Sequence, residues 1–239
     1  MKSLRWLLAC AALAAAGIAQ AGISGTVTAV SDYDFRGISL SATDPALQGS
    51  VDYAFDNGLY AGIWGSQVDF GNVYGEDFEV DYYLGYGGSS ESGFQWGVYG
   101  VKYTDPNTNT DLDYSEVNVS GGYKWLNAKL WWTSNSSNSR HEGYYLDLNG
   151  TFSLPKDFGL VVHGGYSFGS YWSDLDIYGN GDSNEYYDYS IGVTKSLGHA
   201  NLALKFIDGS NLKDAGAAEL STDAKVVASI STTFPWTSK

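Results

Sequence analysis

Tyr144-Tyr145-Leu146-Asp147-Leu148-Asn149-Gly150-Thr151-Phe152-Ser153-Leu154 alternates without a break. Tyr144, Leu146, Leu148, Gly150, Phe152 and Leu154 share one face, and Tyr145, Asp147, Asn149, Thr151 and Ser153 share the other. A period of two marks a β-strand with one apolar and one polar side. Residues 78–86 repeat the pattern, with Phe78, Val80, Tyr82, Leu84 and Tyr86 against Glu79, Asp81, Tyr83 and Gly85. Working outward from these two segments, the same alternation predicts strands over 23–36, 47–56, 59–69, 77–87, 94–104, 113–123, 125–134, 143–154, 158–168, 185–195, 199–208 and 224–234.

The connections between those strands alternate too. Short turns lie at Asn57-Gly58, around Lys124, at Pro155-Lys156-Asp157 and at Leu197-Gly198. Longer polar segments run from Asp105 to Leu112, Ser134 to Glu142, Gly169 to Asn184 and Gly209 to Asp223. An even number of strands with short and long connections in turn is the pattern of an antiparallel transmembrane β-barrel, its short turns periplasmic and its long loops extracellular. A soluble β-sandwich also alternates its faces. Three features favour the barrel. The apolar faces carry aromatics near strand ends (Tyr82, Tyr86, Phe94, Trp96, Trp132, Tyr144, Phe168, Tyr187), as an interfacial girdle does. The opposite faces are polar and glycine-rich, and the strands have the length that a tilted span needs.

Composition agrees. The chain of 239 residues has 30 Gly, 19 Tyr and 8 Trp but only 4 Pro, and no stretch has a helical period. Lys2 and Arg5, the apolar run Leu7 to Ile18 and Ala19-Gln20-Ala21 read as a secretory signal over 1–21, leaving 22–239 as one barrel domain. Without Lys2 and Arg5 the 13 basic residues fall to 11 against 27 acidic ones, a balance that excludes a nucleic-acid partner. The single cysteine, Cys10, lies in the signal, so thiol chemistry is excluded from the mature protein. The expected location is the outer membrane of a Gram-negative bacterium, reached through the general secretory pathway. The partners are then outer-membrane lipid, the barrel-assembly machinery, and small solutes or cations.

Three runs carry a resemblance: SDYDFRGISLS (31–41), PALQGSVDYAFDNGLYAGIWGSQVDFG (45–71) and EVDYYLGYGG (79–88). They are similar to the TorF-type porin family, and the likeness extends over essentially the whole mature chain. It implies an outer-membrane barrel with a pore. Barrels of that kind usually end on an aromatic residue. Here Phe234 is followed by Pro-Trp-Thr-Ser-Lys, while Val226, Ala228, Ile230, Thr232 and Phe234 keep the alternation.

The polar faces place Asp32, Asp34, Asp52, Glu79, Asp81, Glu116, Asp147 and Asp188 in the lumen, with Arg36, Lys129 and Lys205 as the bases on the same faces. Eight acids against three bases predict a narrow diffusion channel that draws in cations. The alternative reading pairs these charges across the barrel, with Arg36 clasped by acids on neighbouring strands and the lumen closed. A closed barrel would then act as a surface receptor or adhesin, with Tyr171, Trp172 and Tyr178 as stacking aromatics in its loops. Asp32, Asp34 and Arg36 are expected to alternate on the first strand, more as a structural ion-pair cluster than as a binding ladder.

His163 is also expected to face the lumen, with Asn149 opposite it across the turn at 155–157 and Ser190 on its other side. Serine, histidine and asparagine together make a remote case for a hydrolase. A lone histidine in a polar lumen is more often a lining residue, and the chain is read as a non-enzyme. Asp174, Asp176, Asp182 and Glu185 follow the spacing of a calcium loop, but Tyr178 spoils one ligand position and no helices flank it. No cofactor is expected beyond weak calcium in loop 174–185.

Overall fold

The structure is a computed structural model that describes residues 21–71, 76–106, 111–173, 185–210 and 220–236. Residues 1–20, which carry nearly all of the expected signal segment, lie outside the described residues.

Twelve long strands close into a barrel. They are β1 (Gly22–Val30), β4 (Ala46–Ala54), β5 (Leu59–Asp69), β6 (Glu76–Ser89), β7 (Gln95–Thr104), β8 (Tyr114–Tyr123), β9 (Leu126–Thr133), β10 (Gly143–Leu154), β11 (Phe158–Phe168), β12 (Glu185–Leu197), β13 (Ala200–Ser210) and β14 (Lys225–Phe234). Two short strands, β2 (Asp34–Phe35) and β3 (Ile38–Ser39), form a separate hairpin between β1 and β4. Every long strand pairs antiparallel with its neighbour in sequence, and β14 returns to β1 with Gly25 opposite Phe234 and Val30 opposite Ser229. Closure leaves no unpaired edge. No helix among the described residues is long and apolar enough to cross a membrane.

The apolar faces point outward as the alternation predicts. Ile23, Val51 and Leu204 are 68, 61 and 55 % exposed, in a belt continued by Val119, Ile191 and Val226 around the wall. A continuous apolar belt of this size needs lipid rather than water against it. Aromatics rim both ends. Tyr144 stacks on Phe168 and Tyr166 on Tyr187 at the long-loop end, while Trp125 stacks on Phe152 and Trp236 on Phe234 at the short-turn end.

Inward, the glycines and tyrosines fit together. Tyr60 stands opposite Gly85, and Tyr83 opposite Gly62, on β5 and β6. A Cβ at Gly62 would lie 2.5 Å from the Tyr83 hydroxyl. The bare glycine lets each ring lie flat across the neighbouring strand, where it joins a lumenal cluster of Tyr83, Val101, Tyr103, Trp131 and Tyr145.

One expected strand is corrected. The first was predicted over 23–36, yet β1 stops at Val30. Beyond it the chain leaves the wall and doubles back through β2 and β3, so Asp32, Asp34 and Arg36 do not alternate on a barrel strand. Phe35 pairs with Ile38, leaving Arg36 and Gly37 as a two-residue turn with φ of 55° and 84°. Two successive positive φ values are the requirement of a tight type I′ hairpin, and the Gly37 N–H donates to Asp34 Oδ1 at 3.1 Å.

Candidate functional site

The β2–β3 hairpin sits inside the barrel at the long-loop end, held by side chains from β7, β8, β9, β10, β12 and β14. Arg36 at its tip meets Glu116 of β8 through both forks, Nη1–Oε1 at 3.0 Å and Nη2–Oε2 at 2.5 Å. The Tyr103 hydroxyl also donates to Glu116, at 3.1 Å. The guanidinium carbon lies 4.3 Å from the Tyr145 ring centre, 5.4 Å from Trp131 and 4.7 Å from Phe35. Such a cage favours a flat delocalised cation. Burial works against the Arg36 charge and the Glu116 carboxylate overrides it, holding the guanidinium well above its ordinary pKa.

Other contacts pin the backbone of the segment. Tyr186 of β12 donates to the Arg36 carbonyl at 2.9 Å, and a Cβ on Gly37 would lie 2.8 Å from Asp188 Cβ. Ser39 N–H donates to the Ser221 carbonyl at 2.8 Å, and Asp69 N–H to the Leu40 carbonyl at 2.9 Å. Lys225 of β14 reaches Asp34 at 2.9 Å and Asp32 at 3.6 Å. Burial pushes the Asp34 carboxyl above its ordinary range, against the pull of Lys225 beside it. Asp32 also accepts from Ser39 Oγ at 2.6 Å.

Beneath the hairpin lies a second cluster. His163 Nε2 is 2.8 Å from Asp188 Oδ1, and its Nδ1 is 3.2 Å from both Asp147 Oδ1 and Asn149 Oδ1. Tyr145 OH reaches Asp188 at 3.1 Å, and Lys129 stands 3.7 Å from Asp147. With carboxylate oxygens at both nitrogens, the ring is placed to donate from each, the arrangement of an imidazolium. The expected register holds: His163 stands opposite Asn149 on β10 and Ser190 on β12. The side chain that engages the ring from β12 is nevertheless Asp188.

The remaining predicted residues are less tightly held. Glu79 and Asp81 of β6 are buried on the lumenal face, with Tyr33 OH 3.4 Å from Glu79. No basic side chain among the described residues pairs with either. Asp52 accepts from Ser50 at 2.8 Å and from Tyr83. Lys205 faces the lumen on β13 without an ion-pair partner among the described residues. Of the loop residues with calcium spacing, Asp174, Asp176 and Asp182 lie outside the described residues. Glu185 opens β12 and accepts from Tyr187 at 3.2 Å and from Tyr166.

The expected lumenal balance of eight acids against three bases is therefore corrected. Lys225 and His163 add to Arg36, Lys129 and Lys205, and four of the five bases are paired. The lumenal acid that keeps no basic partner and is not buried is Asp52. Lys225 was available to parity, since it precedes the outward Val226, but a lysine at a strand's first residue reads as a loop charge.

The family model described as a bacterial protein of unknown function, Gcw_chp, matches residues 14–234. The chain belongs to the Gcw_chp family. No curated protein matches it. Among solved structures, the Gcw_chp barrel is similar to the NanC porin, at 11% identity over 90% of this chain and 100% of that one, with a TM-score of 0.55. An outer-membrane channel from Pseudomonas putida F1 matches at 12% identity over 89% of this chain and 94% of that one, with a TM-score of 0.46. At such identity the NanC likeness shows the fold alone: this Gcw_chp chain is a porin-like barrel of the bacterial outer-membrane type.

Proposed function

We propose that this barrel is a TorF-type porin, a narrow and weakly cation-preferring diffusion channel for small polar solutes, in which the inward hairpin of residues 31–45 forms the constriction. The observation that carries the reading is that hairpin's position. A segment between two barrel strands turns into the lumen and is gripped from β8, β9, β10, β12 and β14. It narrows the passage from the long-loop end, taken here as the cell exterior because short turns face the periplasm in such barrels. Cation preference rests on Asp52, which has no basic partner among the described residues. His163, enclosed by acids, supports a structural role rather than catalysis.

The test is single-channel conductance of the refolded full-length barrel in a planar bilayer, with the reversal potential under a salt gradient. Discrete steps and a modest cation preference are expected. Asp52→Asn should move the reversal potential toward zero while leaving the step size nearly unchanged, because charge steers ions where width admits them. An anion-preferring wild type would end the charge argument. A second reading has its own support in the ion pairs that stitch the hairpin across the lumen. A barrel that inserts and never conducts, even with the hairpin released, would make the loops the functional surface.

A further inference from the structure

We infer that the wall pocket filled by the Arg36 side chain is a recognition site for solutes bearing a guanidinium group, with Arg36 as its tethered occupant. The inference deepens the channel reading and rests on it only for the route by which solute arrives.

The pocket's carboxylate and two of its three ring faces belong to the barrel wall, and the third ring, Phe35, belongs to the hairpin. Glu116, 4 % exposed, presents both carboxylate oxygens, and Tyr103 holds it from behind. Tyr145 and Trp131 supply ring faces 4.3 and 5.4 Å from the guanidinium carbon. A paired carboxylate acceptor matches the fork of a guanidinium and not the point charge of an ammonium. Flanking rings add attraction for a flat cation and exclude water. The neighbouring acids are committed elsewhere, Asp147 to Lys129 and His163, Asp188 to His163 and Tyr145. Arg36 is the one base that pairs with Glu116 among the described residues. Its withdrawal leaves a dry carboxylate set between aromatic faces, which is an acceptor for another cation of the same shape.

The occupant is presented separately from the base of its loop. Arg36 holds a φ of 55° at the tip of a two-residue turn, a conformation that non-glycine residues rarely take. Lys225 on Asp34 and Ser39 on Ser221 anchor the hairpin at other points. The arginine can therefore leave the pocket while the base of the loop stays attached. A tethered group competes at an effective concentration on the order of millimolar, so a free guanidinium must exceed that to displace it.

The experiment uses methylguanidine as the probe and the purified full-length Arg36→Ala barrel in detergent, melted by tryptophan fluorescence. The variant should melt below wild type, and methylguanidine at matched ionic strength should restore most of the lost melting temperature. Methylammonium should restore markedly less, and Arg36→Ala/Glu116→Gln should not respond. Where the alanine variant does not fold, Arg36→Lys replaces it: the probe must raise its melting temperature while leaving wild type unchanged. An effect of sodium chloride equal to that of methylguanidine, or no effect at all, would overturn the inference and leave Arg36 as a structural latch. Bilayer recordings keep the two readings apart. Failed rescue in a variant that conducts removes the recognition site and leaves the channel, whereas rescue in a barrel that never conducts removes the channel and leaves the site.

Discussion

Arg36→Ala should raise the single-channel conductance of the reconstituted barrel severalfold and lengthen its open periods. The guanidinium contributes two charge-assisted hydrogen bonds to Glu116 and contacts with three rings, and alanine supplies none of these. Charge-assisted bonds contribute about 1.5–3 kcal/mol each, part of which the desolvation of a buried ion pair offsets. A net loss of roughly 3 kcal/mol would shift the balance between docked and withdrawn hairpin by about a hundredfold. Alanine also leaves Glu116 dry and unpaired while the hairpin stays docked, which favours withdrawal further. The double variant Arg36→Leu/Glu116→Leu removes both charges and refills the space, so its conductance should fall back toward wild type. If Arg36→Ala and wild type conduct alike, the constriction lies elsewhere in the barrel.

The second large effect is expected from a glycine pair on β11. A Cβ at Gly165 would overlap Asp188 Oδ2 and the Tyr145 hydroxyl and lie 2.7 Å from a carbon of the Tyr145 ring. Neither neighbour can yield cheaply. Asp188 is fixed by His163 at 2.8 Å, and Tyr145 lies against the Arg36 guanidinium. Gly165→Val should therefore destabilise the barrel by about 1–3 kcal/mol, toward the upper end, since overpacking here also strands charges. Gly164 is adjacent and faces the other way, and a Cβ there meets nothing within 4 Å. Gly164→Val should be neutral or slightly stabilising, because a branched residue suits a strand better than glycine does. Heat-modifiable mobility on a gel, with melting in detergent, separates the two. Equal behaviour would mean that the cluster around His163 does not hold the wall.

The wall of the barrel was legible in the sequence because a strand buried on one face must alternate, as β10 does in burial over Gly143–Leu148 and β6 over Phe78–Tyr86. Asn149 opposite His163 followed from antiparallel pairing about the short turn at 155–157, which leaves little choice of register, whereas Ser190 needed a symmetrical pairing assumed across the long 169–184 connection. The hairpin was not legible, because Asp32, Asp34 and Arg36 continue the period of β1 through the point where the backbone leaves the wall. The one local signal was Gly37 after Arg36, the glycine position of a type I′ turn. Which acid pairs with which base was out of reach for another reason. Arg36 and Glu116 are brought together because the hairpin turns into the lumen, and no periodicity along the chain encodes which wall strand its tip reaches.

The seat of the hairpin has a consequence for the order of events in assembly. Residues 31–45 come between the first two strands of the wall, but their grips come from much later in the chain: Glu116, Trp131, Tyr145, Tyr186 and finally Lys225, the first residue of the strand that completes the ring. Contacts of such long sequence separation form late. The hairpin therefore has no complete seat until β14 is in place, and the last anchor it gains, Lys225 on Asp34 and Asp32, comes from the strand that closes the ring.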